Sequence, residues 1–160
     1  MKKITIKSEI LFCQLDELSP EDKQLVVKAI DATSRSYAHY SHFCVGACLR
    51  LADGTEILGA NQENAVYPVG LCAERTAIFA AQVQYPDQPI VAIAIAARNE
   101  QGELVVDPVT PCGSCRQVMV EMEHRYHEPM RILLYGTRGI YVASSIKDLM
   151  PLSFAEDSMK

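Results

Sequence analysis

The sequence predicts a three-layer α/β/α fold, in which helices cover both faces of one central mixed β-sheet. Helical and strand patterns alternate along the chain, which is typical of α/β proteins. The segment Ile90–Ala96 is apolar at every position, as in a strand that is covered on both faces. The chain has 160 residues and no repeat or linker-like tract, so a single domain spanning 1–160 is expected.

The N-terminal part of the chain is expected to be an irregular extension followed by a helix. Residues 1–18 show no sustained periodicity, with at most a short strand at Ile4–Ile6. Ser19 and Pro20 form a strong helix start, because serine caps the first backbone N–H groups and proline suits the first helical position. Apolar residues recur at helical spacing from there to about Ser36.

The rest of the chain alternates between strand and helix patterns. An Asp-Gly pair at 53–54 predicts a hairpin turn between the first two strands. The predicted elements are strands at 43–51 and 56–61, a helix at 72–84, the buried strand at 90–96, a helix from about 114 to 128, strands at 131–135 and 140–144, and a helical turn at 146–150.

Composition and charge exclude several classes of protein. Hydrophobic residues make up 49% of the chain and charged residues 22%, which is typical of globular and not of disordered proteins. No apolar run approaches the ~20 residues of a membrane-spanning helix, and no secretory hydrophobic region follows the first lysines. We therefore expect a cytoplasmic protein without a membrane partner. A net charge of −5 disfavours nucleic acid and favours a small-molecule partner.

The cysteines carry the most specific signal. Pro111 precedes the motif Cys112-Gly113-Ser114-Cys115 at a predicted helix start. This spacing places both sulfurs on one face of the first turn, where the helix dipole favours the thiolate. Alone, the motif also fits a thioredoxin-like redox pair.

A second motif, Cys72-Ala73-Glu74, lies at another predicted helix start. Cys72 with Cys112 and Cys115 would give zinc three ligands and leave a fourth position open, as catalytic zinc sites do. Glu74 would then lie beside the metal without binding it. Zinc deaminases combine these features: a zinc held by cysteines, a nearby glutamate and a Pro-Cys-x-x-Cys motif.

Other interpretations of the cysteines remain open at this point. His39 or His42 would convert the three thiols into a closed structural zinc site. Cys44 and Cys48 cannot chelate one ion together, because two such positions on a strand lie about 13 Å apart. A catalytically silent zinc-binding protein is a further alternative, although a structural site gains nothing from the unligated carboxylate of Glu74.

Together the motifs resemble those of the cytidine deaminases, the zinc enzymes that act on free nucleosides. The similarity covers about residues 20–155 in the order of the family. It is carried by Asn61-Gln62-Glu63-Asn64, Leu71-Cys72-Ala73-Glu74-Arg75-Thr76-Ala77 and Pro111-Cys112-Gly113-Ser114-Cys115-Arg116-Gln117, with Tyr37, Tyr40-Ser41, Phe43-Cys44-Val45-Gly46, Leu149-Met150-Pro151 and Phe154 at either side.

The resemblance implies a role for each residue of these motifs. Zn²⁺ would be held by the three cysteines and protons would be moved by Glu74. The thiolates leave zinc with a net charge of −1, which the two helix N-termini and a hydrogen-bonding Arg75 would offset. The implied substrate-binding residues are Asn61 and Glu63 for the ribose hydroxyls, Phe43 and the backbone of Ala73 for the base, and Ala65, Tyr67 and Phe154 where subunits meet and reach a neighbour's site.

The activity implied by the resemblance is hydrolysis of cytidine and deoxycytidine to uridine and deoxyuridine plus ammonia, as in pyrimidine salvage. The implied assembly is a homotetramer with shared active sites. A deaminase that acts on nucleic acid or nucleotides would share the zinc motifs, but Glu63 would repel a nearby phosphate. The sequence departs from the family's usual residues at His39, where proline is usual, and at Leu152 and Ser153, where small residues precede the aromatic residue.

Overall fold

The computed structural model describes residues 1–160 as one six-stranded sheet with three α-helices. The strands are β1 (Ile10–Cys13), β2 (Cys44–Leu51), β3 (Glu56–Ala60), β4 (Ile90–Arg98), β5 (Arg131–Gly136) and β6 (Gly139–Ala143). The helices are α1 (Pro20–Ala32), α2 (Ala73–Gln84) and α3 (Gly113–Tyr126). The strand order is β1-β6-β5-β4-β2-β3.

The sheet is mixed, because β4 and β5 run parallel and every other neighbouring pair is antiparallel. α1 packs on one face, and α2 and α3 pack on the other. In β4, the larger Ile93 and Ile95 join the core beneath α2 and α3, whereas Ala92, Ala94 and Ala96 face α1. Burial on both faces explains the uninterrupted apolar run, and the α/β/α prediction is confirmed.

Strand directions bring several chain segments to one end of the sheet. β3 and β4 are both antiparallel to β2, so they run in the same direction and their C-terminal residues lie at the same end of the sheet. α2 follows β3 and α3 follows β4 along the chain, so both helices begin near that end of the sheet, where β2 also begins. The positions just before β2, just after β3 and at the two helix starts therefore converge.

The prediction for the N-terminal segment was wrong in one respect. Residues 4–6 form no strand, whereas Ile10–Cys13 forms β1, which pairs antiparallel with β6 from Ile10 opposite Ala143 to Cys13 opposite Ile140. Pairing with the open edge of β6 determines where the strand lies, and that partner comes more than a hundred residues later in the sequence. The segment 1–18 is thus not irregular throughout.

The first helix was predicted to reach about Ser36, but α1 ends at Ala32 and a single 3-10 turn, Thr33–Arg35, continues it. The remaining helix and strand boundaries agree with the sequence prediction to within about two residues. Ser19 caps α1, since its hydroxyl accepts a hydrogen bond of 3.2 Å from the backbone N–H of Asp22. Gly54 takes a φ of +87° in the predicted hairpin turn, a conformation that glycine adopts without steric cost. No helix combines the length and the apolar character that crossing a bilayer requires.

Gly59 determines how closely α2 approaches the sheet. A β-carbon at Gly59 would overlap the carbonyl oxygen of Ala73 and lie 2.6 Å from the backbone nitrogen of Ala77. The first turn of α2 therefore rests on the bare backbone of β3. This contact places the start of α2 next to the end of β3.

We expect Gly59→Ala to lower the free energy of unfolding by about 1–3 kcal/mol, because the new methyl group forces α2 away from the sheet. Denaturant unfolding measures the effect. Gly113→Ala is the matched control, since a β-carbon there meets nothing within 4 Å. Equal stability of Gly59→Ala and the unchanged chain would contradict the close approach.

Candidate active site and metal centre

Three thiols converge where α2 and α3 begin. Cys72 immediately precedes α2, Cys112 immediately precedes α3, and Cys115 lies in the first turn of α3. The Sγ atoms of Cys72 and Cys112 are 3.8 Å apart, and those of Cys112 and Cys115 are 3.5 Å apart. All three Sγ atoms lie within 4.8 Å of one another.

This geometry fits zinc. Four ligands at the usual Zn–S distance of about 2.3 Å form a tetrahedron whose edges are about 3.8 Å. The thiols are free and not joined in a disulfide. No histidine or carboxylate ligand atom joins the cluster, so neither His39 nor His42 completes it. The three cysteines can hold zinc and leave one position for a non-protein ligand, as in catalytic zinc sites.

The surroundings of the thiols favour the thiolate form. The positive ends of two helix dipoles point at the cluster. Arg75 donates a hydrogen bond of 3.5 Å from Nη2 to the Sγ of Cys72. Hydrogen bonds from Cys115 and Arg75 lower the pKa of the Cys72 thiol. The guanidinium also offsets the net charge of −1 that zinc and three thiolates carry together.

Glu74 is the buried acid of the site. It is the second residue of α2, and only 4% of its surface is exposed. Burial raises the pKa of the Glu74 carboxyl above its ordinary value. The side chain lines the same cavity as two of the thiols without belonging to the ligand cluster, so it is free to exchange protons with a ligand.

A cavity of about 710 Å³ opens over the cluster, within the range of ordinary small-molecule pockets, roughly 300–1,000 Å³. It brings together most of the residues singled out in the sequence. Those on its wall are Phe43, Asn61, Glu63, Tyr67, Cys72, Glu74, Arg75 and Cys112.

Asn61 and Glu63 project from the segment that follows β3 and hold the start of β2 and the segment before it. The Oδ1 of Asn61 accepts a hydrogen bond of 2.7 Å from the backbone N–H of Val45, and its Nδ2 donates to the carbonyl oxygen of Phe43 at 2.9 Å. Glu63 accepts from the backbone N–H of Tyr40 at 2.7 Å and from the Ser41 hydroxyl. The hydrogen bond from Ser41 lowers the pKa of Glu63, which keeps the carboxylate ionised.

Two tyrosines of the cavity wall, Tyr40 and Tyr67, belong to a row of aromatic side chains. Tyr40 and Tyr67 meet edge to face, with ring centroids 5.5 Å apart. His39 contacts Tyr40 edge to face at 5.1 Å and stacks on Tyr37 at 6.1 Å. His39, which stands where the family usually has proline, is therefore a member of an aromatic row. The chain turns here, since the backbone N–H of His42 donates to the carbonyl oxygen of Ala38 at 2.9 Å.

The remaining predicted site residues lie outside the cavity wall. Cys115 and Ala73 are fully buried beneath it, and Ala65 is exposed in the loop that follows Glu63. Phe154 is 58% exposed near the end of the chain, where its carbonyl oxygen accepts a hydrogen bond of 2.8 Å from Gln117. Leu152, one of the departures noted above, has a φ of +57°, a conformation that favours glycine.

Several residues of the cavity wall had no role assigned from the sequence. Val109 and Thr110 come from the loop before α3, and Ile95 comes from β4. Val109 and Thr110 carry no catalytic group. The only sequence feature that could have assigned them to the site is their position one or two residues before Pro111. The sequence indicated only a core role for Ile95, in the buried strand, whereas the structure places it both in the core and on the cavity wall.

The fold and this site define a zinc-dependent deaminase: three thiols with one open position, a buried unligated carboxyl, and a cavity large enough for a small molecule. Comparison with known proteins gives the same class. A family model described as the cytidine and deoxycytidylate deaminase zinc-binding region matches residues 19–127.

Individual relatives agree over most of the chain. A cytidine deaminase of Halalkalibacterium halodurans is 39% identical over 139 residues, which cover 86% of this chain and 98% of that protein. A cytidine deaminase of Sporosarcina psychrophila is 34% identical, over 86% and 93% of the two chains. The crystal structure of a cytidine deaminase from Burkholderia pseudomallei superposes with a TM-score of 0.71 at 36% identity, over 86% of this chain and all of that one. The chain belongs to the cytidine deaminase family.

We expect the purified protein to contain one zinc ion per chain and Cys115→Ser to lose it, because a hydroxyl is a poor substitute for a zinc-bound thiolate. Metal analysis after dialysis measures the content. Cys13→Ser, at the far edge of the sheet, is the matched control and should retain zinc. A zinc content in Cys115→Ser equal to that of the control would contradict this ligand set.

Proposed function

We propose that the protein catalyses the zinc-dependent hydrolytic deamination of cytidine and deoxycytidine to uridine and deoxyuridine, with release of ammonia. One observation carries the proposal: the carboxyl of Glu74 is buried in the same cavity as a three-thiol cluster that leaves one ligand position open. A closed structural site would have neither the open position nor the adjacent acid. The activity belongs to pyrimidine salvage.

Cys72, Cys112 and Cys115 hold zinc, which supplies a Lewis acid that makes water nucleophilic near neutral pH. Glu74 accepts a proton from the attacking water, passes it to N3 of the cytosine ring, and then helps to protonate the departing amine. Water adds at C4 and the C4–N4 bond breaks, so cytidine and water become uridine and ammonia. A positioned proton carrier of this kind contributes roughly 10²–10⁴ in rate.

Other residues of the chain orient the nucleoside. Ala73 is the first residue of α2, so its backbone N–H has no partner within the helix and can donate to the base carbonyl. Phe43 packs against the pyrimidine ring. Asn61 and Glu63 bind ribose hydroxyls from the strand edge, with Asn61 as donor and the ionised Glu63 as acceptor.

The substrate is a free nucleoside in this proposal. The ionised carboxylate of Glu63 repels a phosphate on the sugar, which disfavours nucleotides. A net charge of −5 disfavours nucleic acid, which requires a basic surface. We place the protein in the cytoplasm, where thiols stay reduced, because all six cysteines are free.

The proposed assembly is a homotetramer with shared active sites. Val66, Tyr67 and Val69 are 60–72% exposed, although Tyr67 also lines the cavity. Phe154 lies outside the cavity of its own chain and exposes its ring, so it is available to a neighbour, as is Ala65. Burial of these apolar groups in subunit contacts would remove them from water and close the cavity mouth.

Replacing Glu74 tests the proposed reaction directly. We expect Glu74→Gln to retain zinc, because Glu74 is not a ligand, and to lower turnover of cytidine at least ~10²-fold, because the amide cannot carry the proton. The loss of ultraviolet absorbance on cytidine deamination measures turnover, and metal analysis measures zinc. Glu121→Gln, an exposed position on α3, is the control.

Turnover of Glu74→Gln equal to that of the control would overturn the mechanism. Free cytosine, which offers no ribose to Asn61 and Glu63, should be a very poor substrate for the unchanged protein in the same assay. Equal rates on cytosine and cytidine would assign the protein to a different substrate class.

Phe154→Ala tests the shared site. We expect KM for cytidine to rise by about tenfold, since loss of ~1.4 kcal/mol of aromatic contact corresponds to a factor of ten, while zinc content stays unchanged. Met159→Ala, another exposed residue of the same tail, is the control. Sedimentation at micromolar concentration should show four chains. A fully active monomer would contradict the shared site without affecting the zinc chemistry.

A further inference from the structure

The hydroxyl of Ser36 contacts the amide of Asn61. Ser36 follows the single 3-10 turn that continues α1 and is half-buried. Its Oγ hydrogen-bonds to the Oδ1 of Asn61 and lies 3.4 Å from the carbonyl oxygen of the same residue. Nothing in the sequence around Ser36 indicates a partner 25 residues away.

The partners of Asn61 fix which end of its amide is the oxygen. The backbone N–H of Val45 can only donate, so the atom 2.7 Å from it must accept. The carbonyl oxygen of Phe43 can only accept, so the atom 2.9 Å from it must donate. With Ser36 as a second donor to Oδ1, both acceptor positions of that oxygen are filled. One N–H of Nδ2 remains without a protein partner.

We propose that Ser36 is a positioning residue that holds Asn61 as a pure hydrogen-bond donor towards a sugar hydroxyl, an inference that rests on the proposed function. Asn61 lines the cavity, and its remaining N–H is the only polar hydrogen it offers there. Glu63 on the same wall is ionised and offers acceptors only. A hydroxyl satisfies both groups, because it accepts from one and donates to the other.

Loss of the Ser36 hydroxyl changes what Asn61 offers. One acceptor position of Oδ1 becomes free, and the amide keeps two of its three side-chain hydrogen bonds, so it is held less firmly. Discrimination between a ligand with the sugar hydroxyls and one without them then falls. The expected loss is about 2- to 12-fold, the value of one neutral hydrogen bond. A ligand without these hydroxyls gains nothing from Asn61 and should be unaffected.

The chain provides a close control two residues away. Ser34 lies in the 3-10 turn that precedes Ser36, is exposed, and donates from Oγ to the carbonyl oxygen of Asp31 at 2.7 Å. Ser34→Ala removes a serine hydroxyl two residues from Ser36 without touching Asn61. Ser36→Thr keeps a hydroxyl, and Thr is accommodated by the extended backbone at this position, with φ −67° and ψ 136°.

The test compares cytidine with 2′,3′-dideoxycytidine as substrates of the zinc-loaded protein and its three variants. We expect Ser36→Ala to lower the ratio of the two kcat/KM values by about 2- to 12-fold, through KM for cytidine, and to leave kcat/KM for the dideoxynucleoside unchanged. Ser36→Thr should restore the ratio, and Ser34→Ala should not change it. Calorimetric binding of uridine and 2′,3′-dideoxyuridine should show the same pattern without turnover.

An unchanged ratio in Ser36→Ala would overturn the assignment, and so would an equal fall for both substrates, which a merely structural role produces. If the unchanged protein did not discriminate between the two ligands, both the Ser36 assignment and the sugar recognition by Asn61 would be wrong. If the unchanged protein did not deaminate cytidine, the proposed reaction would fail, and the binding measurements would still decide the role of Ser36.

Discussion

The thiols of Cys72 and Cys112 lie 3.8 Å apart because two helices begin at the same end of the sheet. They begin there because β3 and β4 are both antiparallel to β2 and therefore finish at the same end. The bare backbone at Gly59 lets α2 rest directly on β3, which sets the position of its first turn. A metal centre that takes ligands from two helices requires this convergence, since one CxxC motif supplies only two of three thiols. The same strand ends carry Asn61 and the segment before β2, so the proposed sugar-binding wall and the metal centre both depend on these strand directions.

Positive groups around the metal centre explain how a centre rich in negative charge can still activate water. Three thiolates and one zinc ion have a net charge of −1, which weakens a Lewis acid. Two helix N-termini contribute roughly half a positive charge each, and Arg75 adds a full charge within hydrogen-bonding distance of Cys72. Glu74 lies on the same first turn of α2 and is only 4% exposed, so in the proposed mechanism its carboxyl exchanges protons with a ligand in the cavity and not with bulk solvent. In that mechanism the adjacent residues of one turn have opposite tasks, because Arg75 balances charge and Glu74 carries protons.

The parts of this molecule that the sequence predicts are those encoded by short-range patterns. Ser19-Pro20, the Asp-Gly turn and the apolar run of β4 each depend on neighbours a few residues away, and each was confirmed. The three-thiol cluster was predictable because cysteine spacing and helix starts are both visible locally. β1 was misplaced because its position depends on β6, a partner far along the chain. The hydrogen bond between Ser36 and Asn61 was not predicted for the same reason: a serine after a helix has no local feature that identifies a distant amide.

The first turn of α3 links the metal centre to the end of the chain. Cys112 and Cys115 belong to the thiol cluster, while the next two residues of the same turn, Arg116 and Gln117, bind the C-terminal segment. Arg116 donates to the carbonyl oxygen of Leu149 at 2.7 Å, and Gln117 donates to that of Phe154 at 2.8 Å. Both hydrogen bonds reach backbone atoms, so they fix the path of the tail whatever its side chains are. A shift of this turn would therefore move two zinc ligands and the tail together. In the proposed tetramer, the turn that forms one active site also aims Phe154 at a neighbour, which couples the geometry of the metal centre to that of the subunit contact.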